Sequence, residues 1–372
     1  MERSRKRCIL QGQRVLSRSI TGPPGTSSVR LRVLIAVWPL ILAACGGSTP
    51  TQPSSASSAS PQPPTAPGAT VTTGRLVDAL TTAGLADVSL RLGDGTSTTT
   101  DPSGCFALQS LHLGPLPAVL SRAGLIERQT TIRNPGPNAA ISLIPDSFDM
   151  ASFDQMFRPD SRLQRWTSAP SLVIQTRTLV LTSTADDQFV ATGEELTRDE
   201  ADRLVSDLTY GFSQLTADRL GGFASVTMER AAPGSSVNVK RTGAIVVARH
   251  QGLTQATGYW GYGRWATSGD GEVVGGIVFI DRDFDKAEGQ YCRSLRVHEL
   301  GHSLGYHHVT LRSSVMNSGA RIEPNEWDRQ AILIAFQRPP GNRAPDVDPP
   351  QYSPDLQSQR GSATATWGPP IY

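Results

Sequence analysis

Residues 298–308 read His298-Glu299-Leu300-Gly301-His302-Ser303-Leu304-Gly305-Tyr306-His307-His308. Residues four apart on an α-helix lie on one face, so His298 and His302 can present imidazole nitrogens to one metal ion. Gly305 can adopt the left-handed conformation that ends a helix, and the sharp turn lets His308 return as a third ligand. The spacing therefore predicts a helix and a turn that together hold one metal ion.

The same segment carries the groups that a hydrolytic metal site needs. Three protein ligands leave the fourth position of a tetrahedral zinc ion open for water, whereas structural zinc sites close all four positions. Glu299 is one residue away from the first ligand, which keeps it off the metal and within reach of that water as the catalytic base. His307 adjoins the third ligand but is predicted to face solvent, because the two-residue spacing after Gly305 favours His308.

A second short motif lies downstream, where residues 314–317 read Ser-Val-Met-Asn. The pattern H-E-x-x-H-x-x-G-x-x-H, followed by this turn, resembles the metzincin zinc metallopeptidases, and within them the matrixin-like group, over residues 171–338. The resemblance implies a zinc metalloendopeptidase with one catalytic zinc on the three histidines. It also implies that Met316 forms a hydrophobic floor under the imidazoles.

The resemblance carries one further expectation and two departures. In metzincins an edge strand ahead of the site helix pairs with extended substrate, which makes Ile277, Val278 and Phe279 candidates for substrate binding. Val309, directly after the third ligand, matches no subfamily marker, and Asn317-Ser318 lacks the tyrosine that astacin-like enzymes use as an extra ligand. Subfamily, cleavage specificity and any latency mechanism therefore stay open.

The first 44 residues are interpreted as a lipoprotein signal peptide. Residues 33–44 (VLIAVWPLILAA) are apolar but too short to span a bilayer as a stable anchor. They end in Leu42-Ala43-Ala44-Cys45, which resembles the bacterial lipobox and makes Cys45 the expected lipidation site; an ordinary secretory signal is the alternative. Residues 45–70, rich in Ser, Pro, Thr and Ala, predict a low-complexity tether. The chain is expected to be exported and lipid-anchored to the bacterial cell envelope, at the outer membrane or cell surface.

Residues 71–145 show short alternating strands separated by turns. Val88, Leu90 and Leu92 alternate with polar residues, and Asp94-Gly95 predicts a hairpin turn. The pattern predicts an all-β sandwich and resembles the carboxypeptidase regulatory-like domain, a transthyretin-like fold that implies an accessory module without catalytic groups. The places of its motif are held by Gly74, Asp78, Asp101, Gly104 and Phe106. Whether Cys105 pairs with Cys292 stays open.

A connector at residues 146–166 leads to the predicted peptidase domain, residues 167–338. A helix over 195–220 places an apolar stripe at three-and-four spacing. That stripe consists of Leu204, Leu208, Phe212 and Leu215. Strands are predicted at 172–174, 225–229, 244–248 and 276–280, and a last helix at 326–336. The predicted fold class is α+β: the sandwich, then a metzincin-like mixed sheet with helices, then a Pro-rich disordered tail at 339–372.

Weaker signals leave alternatives. Asp281, Asp283 and Asp285 alternate as in calcium loops, yet Lys286 and Cys292 stand where an EF-hand needs glycine and glutamate. A structural calcium ion and a polar strand end are the two interpretations.

Charge indicates no partner. The 372 residues contain 35 Lys and Arg against 33 Asp and Glu, and the basic cluster at residues 3–7 lies in the leader, so no nucleic-acid binding is expected. The expected partners are a polypeptide substrate and the membrane, through the lipid; the oligomeric state is open. The alternative function is a surface binding or adhesion lipoprotein with a non-hydrolytic zinc site. Glu299 favours the peptidase, because a purely structural site does not need it.

Overall fold

The computed structural model describes residues 70–138, 140–183, 187–287, 292–319, 322–350 and 365–372. The expected signal peptide, Cys45 and the tether up to residue 69 lie outside the described residues. Among the described helices, none is both long and apolar enough to cross a bilayer. The described chain is a mixed α and β structure in which strands outnumber helices.

Two small sheets face each other in the first part of the described chain. Their strands are β1 (Thr70–Asp78), β2 (Ser89–Leu92), β3 (Ser97–Thr99), β4 (Cys105–Ser110), β5 (Gly114–Ser121), β6 (Arg128–Asn134), β7 (Gly136–Pro137) and β8 (Ile141–Leu143). β1 pairs with β4, β7 and β8, and the second sheet has the order β3-β2-β5-β6. Leu90 and Leu92 are buried between exposed neighbours, as the alternation predicts, and pack with Phe106 and Leu76 of the opposite sheet.

A larger sheet follows. Its strands are β9 (Ser171–Gln175), β10 (Arg177–Ser183), β11 (Gln188–Glu195), β12 (Ser225–Glu229), β13 (Ser236–Val237), β14 (Ala244–His250), β15 (Gly261–Thr267), β16 (Val273–Asp281) and β17 (Thr366–Trp367). β12, β9, β14 and β16 pair side by side in parallel, and β15 lies beyond β16 in the antiparallel direction. β10 and β11 form an antiparallel hairpin that the sequence analysis did not predict.

Helices surround this sheet. They are α1 (Met150–Phe157), α2 (Arg198–Thr216), α3 (Leu253–Thr257), α4 (Arg282–Ala287), α5 (Arg293–Ser303) and α6 (Glu326–Phe336). α2 is shorter than the predicted helix because Thr197 caps its N-terminus and Ala217, in the left-handed conformation, ends it. The predicted stripe is buried. On the same face, a Cβ added at Gly211 would lie 2.9 Å from Val297 Cγ2, so α2 packs closely on α5.

The predicted connector is part of the packed structure. α1 buries Phe153, Met156 and Phe157, and the Phe157 ring lies 4.7 Å from that of Tyr306, between centroids. The Met156 carbonyl accepts a hydrogen bond of 2.9 Å from the His307 backbone N–H. α1 therefore supports the loop that follows α5.

Residues 339–350 differ from the predicted disordered tail. Arg338 forms a fully buried ion pair with Asp346 at 2.6 Å, and Arg128 of β6 binds Asp348 at 2.8 Å. Arg338 Nη1 also donates to Ser142 Oγ of the first sandwich sheet at 2.7 Å. Charges are buried only when they are paired and hydrogen-bonded, and these pairs join the sandwich to the end of α6. The proline content predicted disorder because the sequence pattern does not show ion pairs between residues that lie far apart in the chain.

Candidate metal centre

The helix α5 ends as a Schellman motif between the second and third candidate ligands. Gly305 has a φ of 97°, in the left-handed region. Its N–H donates to the His302 carbonyl at 3.0 Å, and the Tyr306 N–H donates to the Gly301 carbonyl at 3.0 Å. The chain therefore turns back at once, and His308 returns to the face that carries His298 and His302.

The three imidazoles converge. His298 Nε2 lies 3.2 Å from His302 Nε2 and 3.3 Å from His308 Nε2. The available ligand atoms of the three rings all lie within 4.8 Å of one another, and among the described residues this is the group found that could hold a metal ion. The first two histidines are buried and His308 is half-buried.

Backbone carbonyls orient two of these rings. His298 Nδ1 lies 2.7 Å from the Val315 oxygen, and His302 Nδ1 lies 2.7 Å from the Tyr306 oxygen. A carbonyl oxygen only accepts, so each Nδ1 carries the proton and each Nε2 keeps its lone pair for a metal. Burial holds the pKa of His302 well below its usual value, and the charges that His298 and His308 could carry lower it further. Burial also lowers the pKa of His308. Both rings are therefore neutral, as a metal ligand must be.

Met316 packs against the helix α5 that carries two of the candidate ligands. Its side chain is fully buried, and a Cβ added at Gly301 would be 2.5 Å from its sulfur. The turn that carries it is held by Asp328 of α6, which accepts from Ser314 Oγ at 2.6 Å and from the Val315 N–H at 3.0 Å. Asp328 thereby positions the carbonyl that orients His298. Asp328 was not among the predicted site residues, although the capping pattern Asn325-x-x-Asp328 was a signal for it.

Strand β15 crosses α5 at two glycines. A Cβ added at Gly261 would lie 2.9 Å from Glu299 Oε1, and one at Gly263 would lie 2.3 Å from His302 Cβ. Glu299 itself is 3% exposed. Only glycine permits this close approach of backbone to the site. β15 was not among the strands predicted from the sequence, although the alternation Gly261-Tyr262-Gly263 was the available signal for a strand packed against a helix.

The structure contradicts the edge position on which the prediction of Ile277, Val278 and Phe279 as substrate-binding residues rests. All three side chains are buried, and their strand β16 is paired with β14 on one side and with β15 on the other. No backbone donor or acceptor of these residues is open to an incoming strand. β15, which precedes β16 in the chain, lies between β16 and the sheet edge, and strand order is not visible in residue patterns.

His307 does not face solvent as predicted. Its ring meets the Trp265 ring edge-on at 4.8 Å between centroids. Burial lowers the pKa of His307 to about 4. His307 is not in the converging group, so the two consecutive histidines have different environments.

The three aspartates proposed for calcium do not converge. Asp281 accepts backbone N–H groups of Thr254 and Phe284 at 2.8 and 2.9 Å. Asp283 pairs with Arg282, and Asp285 pairs with Arg249 at 2.7 Å. Within the described ranges, these carboxylates are committed to protein partners and leave the calcium interpretation without support.

A buried ionic network anchors the N-terminal half of α5. Arg296 donates to Asp207 of α2 and to Asp285 of α4, both at 2.8 Å. Arg249 of β14 also binds Asp285 and reaches Glu200 of α2 at 2.8 Å. The network ties the site helix to three neighbouring elements.

Glu200 makes this network sensitive to acid. Burial alone would raise its pKa, but the Arg249 guanidinium and the Thr197 cap outweigh it and lower the pKa from 4.5 to about 2. Because the folded-state pKa is depressed, the stabilisation is complete above the unfolded value and is lost as pH falls from about 4.5 to about 2. We expect Glu200→Gln to cost on the order of 3 kcal/mol of unfolding free energy at pH 7 and progressively less below pH 4.5. Urea unfolding across this pH range measures it.

The matched control is Glu326→Gln, since the Glu326 side chain is 70% exposed. It should leave both the stability and its pH dependence close to those of the unmodified chain. A Glu200→Gln penalty that stays constant down to pH 2 would contradict the assignment.

No family model and no curated protein matches the chain. Solved structures that match include two interface mutants, N-terminal and C-terminal, of the type II Cohesin-X-Dockerin complex from Acetivibrio cellulolyticus. The sequence identities are 16% and 20% over 20% of this chain, with TM-scores of 0.16 and 0.15. The chain spans about half the length of those solved chains, at 51%. At this level of similarity, neither the fold nor the function of those structures is transferred to this chain.

Proposed function

We propose that the chain is a zinc-dependent endopeptidase of the metzincin type, which hydrolyses peptide bonds in extended polypeptides with Glu299 as the general base. One observation carries the proposal: three imidazole Nε2 atoms converge on the helix and turn that also present Glu299. A purely structural zinc site would need a fourth protein ligand, and the converging group among the described residues has three.

The donor set fits zinc. Neutral imidazoles are zinc ligands, and a second hydrogen bond from the opposite ring nitrogen is the usual means of fixing their orientation. His298 and His302 have that bond, to the carbonyls of Val315 and Tyr306. Met316, which is fully buried against Gly301, would supply the apolar floor under the imidazoles.

The chain's own residues supply the proton transfers. When bound, zinc supplies the Lewis acidity that acidifies water and polarises a peptide carbonyl. Glu299 takes the proton from the attacking water and passes it to the leaving amine. Its position beside Gly261 keeps the carboxylate buried and out of bulk water, where a positioned base is most effective.

The proposal also covers the two domains of the enzyme and its attachment to the cell envelope. The first domain would be a transthyretin-like accessory sandwich, followed by a metzincin-like catalytic domain. Lipidation at Cys45 would hold the enzyme at the bacterial cell envelope, so that its substrates are polypeptides outside the cytoplasm. The motif within residues 74–106 supports the accessory sandwich, the motif 298–308 supports the catalytic domain, and the lipobox-like residues 42–45 support the lipid anchor.

The test is metal content together with hydrolysis of casein by the purified full chain. We expect about one zinc per chain and cleavage that a zinc chelator abolishes and added zinc restores. The non-chelating isomer of the chelator is the control. Bound zinc without cleavage of casein would favour the adhesion lipoprotein with a non-hydrolytic site, and a chain without zinc would overturn the metal centre itself.

A further inference from the structure

The outer edge of β15 is occupied by the chain's own segment 366–372. Thr366 and Trp367 pair antiparallel with Thr267 and Ala266. Further along, the Gly263 N–H donates to the Ile371 carbonyl at 3.2 Å, and the Ile371 N–H donates to the Gly263 carbonyl at 3.0 Å. The backbone of Gly263 therefore has no donor or acceptor left for another strand.

This pairing lies at the metal centre. Gly263 is the residue whose added Cβ would collide with His302 Cβ and, at 2.4 Å, with the Glu299 carbonyl oxygen. The occupying segment thus runs along a strand that touches both Glu299 and His302. An extended polypeptide that approaches the centre along β15 meets this segment first.

Side chains hold the segment in place. Trp367 packs against Gly275 of β16, where an added Cβ would be 3.0 Å from the indole. The Arg264 guanidinium donates to the Gly368 carbonyl. At the other end, the Tyr372 ring stacks on Tyr259 at 5.1 Å between centroids and meets Tyr262 edge-on at 5.4 Å. These contacts resemble those of a docked peptide, with aromatic anchors at both ends.

We infer that segment 366–372 inhibits the proposed peptidase by occupying the β15 edge along which an extended substrate pairs. The inference rests on the proposed function. One sheet edge accepts one partner strand, so the segment and the substrate exclude each other. Prolines 369 and 370 lack N–H groups and interrupt the pairing between Gly368 and Ile371, which leaves a short contact that a substrate can displace.

The test compares the full chain with a chain that lacks residues 366–372 and with Ile371→Pro, which removes the N–H that donates to Gly263. Ile371→Val is the matched control, because valine keeps the backbone N–H that donates to the Gly263 carbonyl. We expect roughly tenfold faster casein hydrolysis without the segment, given millimolar effective concentrations for a tethered peptide. A synthetic peptide of residues 365–372 added to the shortened chain should restore inhibition.

Two readouts separate the possible failures. Hydrogen exchange at the Gly263 amide reports docking without any catalysis, and it should speed up in the shortened chain and in Ile371→Pro but not in Ile371→Val. Unchanged exchange overturns the docking, and faster exchange with equal cleavage rates overturns the inhibition. Zinc-loaded chains that show faster exchange after deletion yet never cleave would overturn the peptidase, and with it the inhibitory role, while leaving the docked segment established.

Discussion

Glu299→Gln is expected to keep about one zinc per chain while losing casein hydrolysis by on the order of 10²–10⁴-fold, the usual contribution of a general base. The amide has nearly the same shape as the carboxylate, so it fits beside Gly261, but it cannot take a proton from water. Glu299 is not one of the three converging residues, so the substitution leaves the candidate ligands in place. Zinc content by metal analysis and initial rates on casein measure the two quantities separately.

Glu326→Gln, the same chemical change at an exposed position, is the control for this variant and should retain the full rate. Cleavage by Glu299→Gln at a rate similar to the unmodified chain would refute the general-base role. Loss of zinc in the same variant would instead show that the Glu299 side chain, which is almost fully buried, also supports the metal site.

His308→Ala is expected to lower zinc affinity by at least about 100-fold, since removing even an outer partner of a ligand typically costs 10–100-fold. Its Nε2 lies 3.3 Å from that of His298, so the substitution removes one of three converging donors. His308 is half-buried and follows the helix end, which makes it a milder structural change than the fully buried His302. Competition with a chromogenic zinc chelator gives the affinity, and hydrolysis should fall with zinc occupancy.

The neighbouring His307→Ala is the matched control. The same atoms are deleted one residue away, but the His307 ring packs on Trp265 and lies outside the converging group. We expect this variant to keep its zinc, with a loss confined to thermal stability. If His307→Ala loses zinc and His308→Ala retains it, the third ligand has been misassigned.

Much of the candidate site could be predicted because its determinants are local. Two candidate ligands four apart need only a helix, and the third candidate needs only the turn that Gly305 makes. The buried apolar stripe of α2 could be predicted equally well, since burial on one helix face follows directly from a 3.6-residue period. In each case the relevant residues are separated by fewer than about a dozen positions along the chain.

Other features depended on contacts between residues distant in sequence. Ile277 was expected at a sheet edge and is interior, because β15 folds back on β16 and covers it. The Asp328 carboxylate supports the Val315 amide only once α6 packs behind the site. Residue type and spacing do not encode which strand becomes the neighbour of another.

The sequence by itself determined the composition of the candidate centre: which imidazoles can meet, and that a carboxylate follows the first of them without being required as a ligand. Only the tertiary structure decided how that centre is enclosed, with two glycines of β15 against the helix, carbonyls that set the histidine tautomers, and segment 366–372 along the open edge. The physical reason is range. Helical periodicity acts within a few residues, whereas the pairing of Trp367 with Ala266 joins parts of the chain about a hundred residues apart, through hydrogen bonds that any residues with free backbone groups could form.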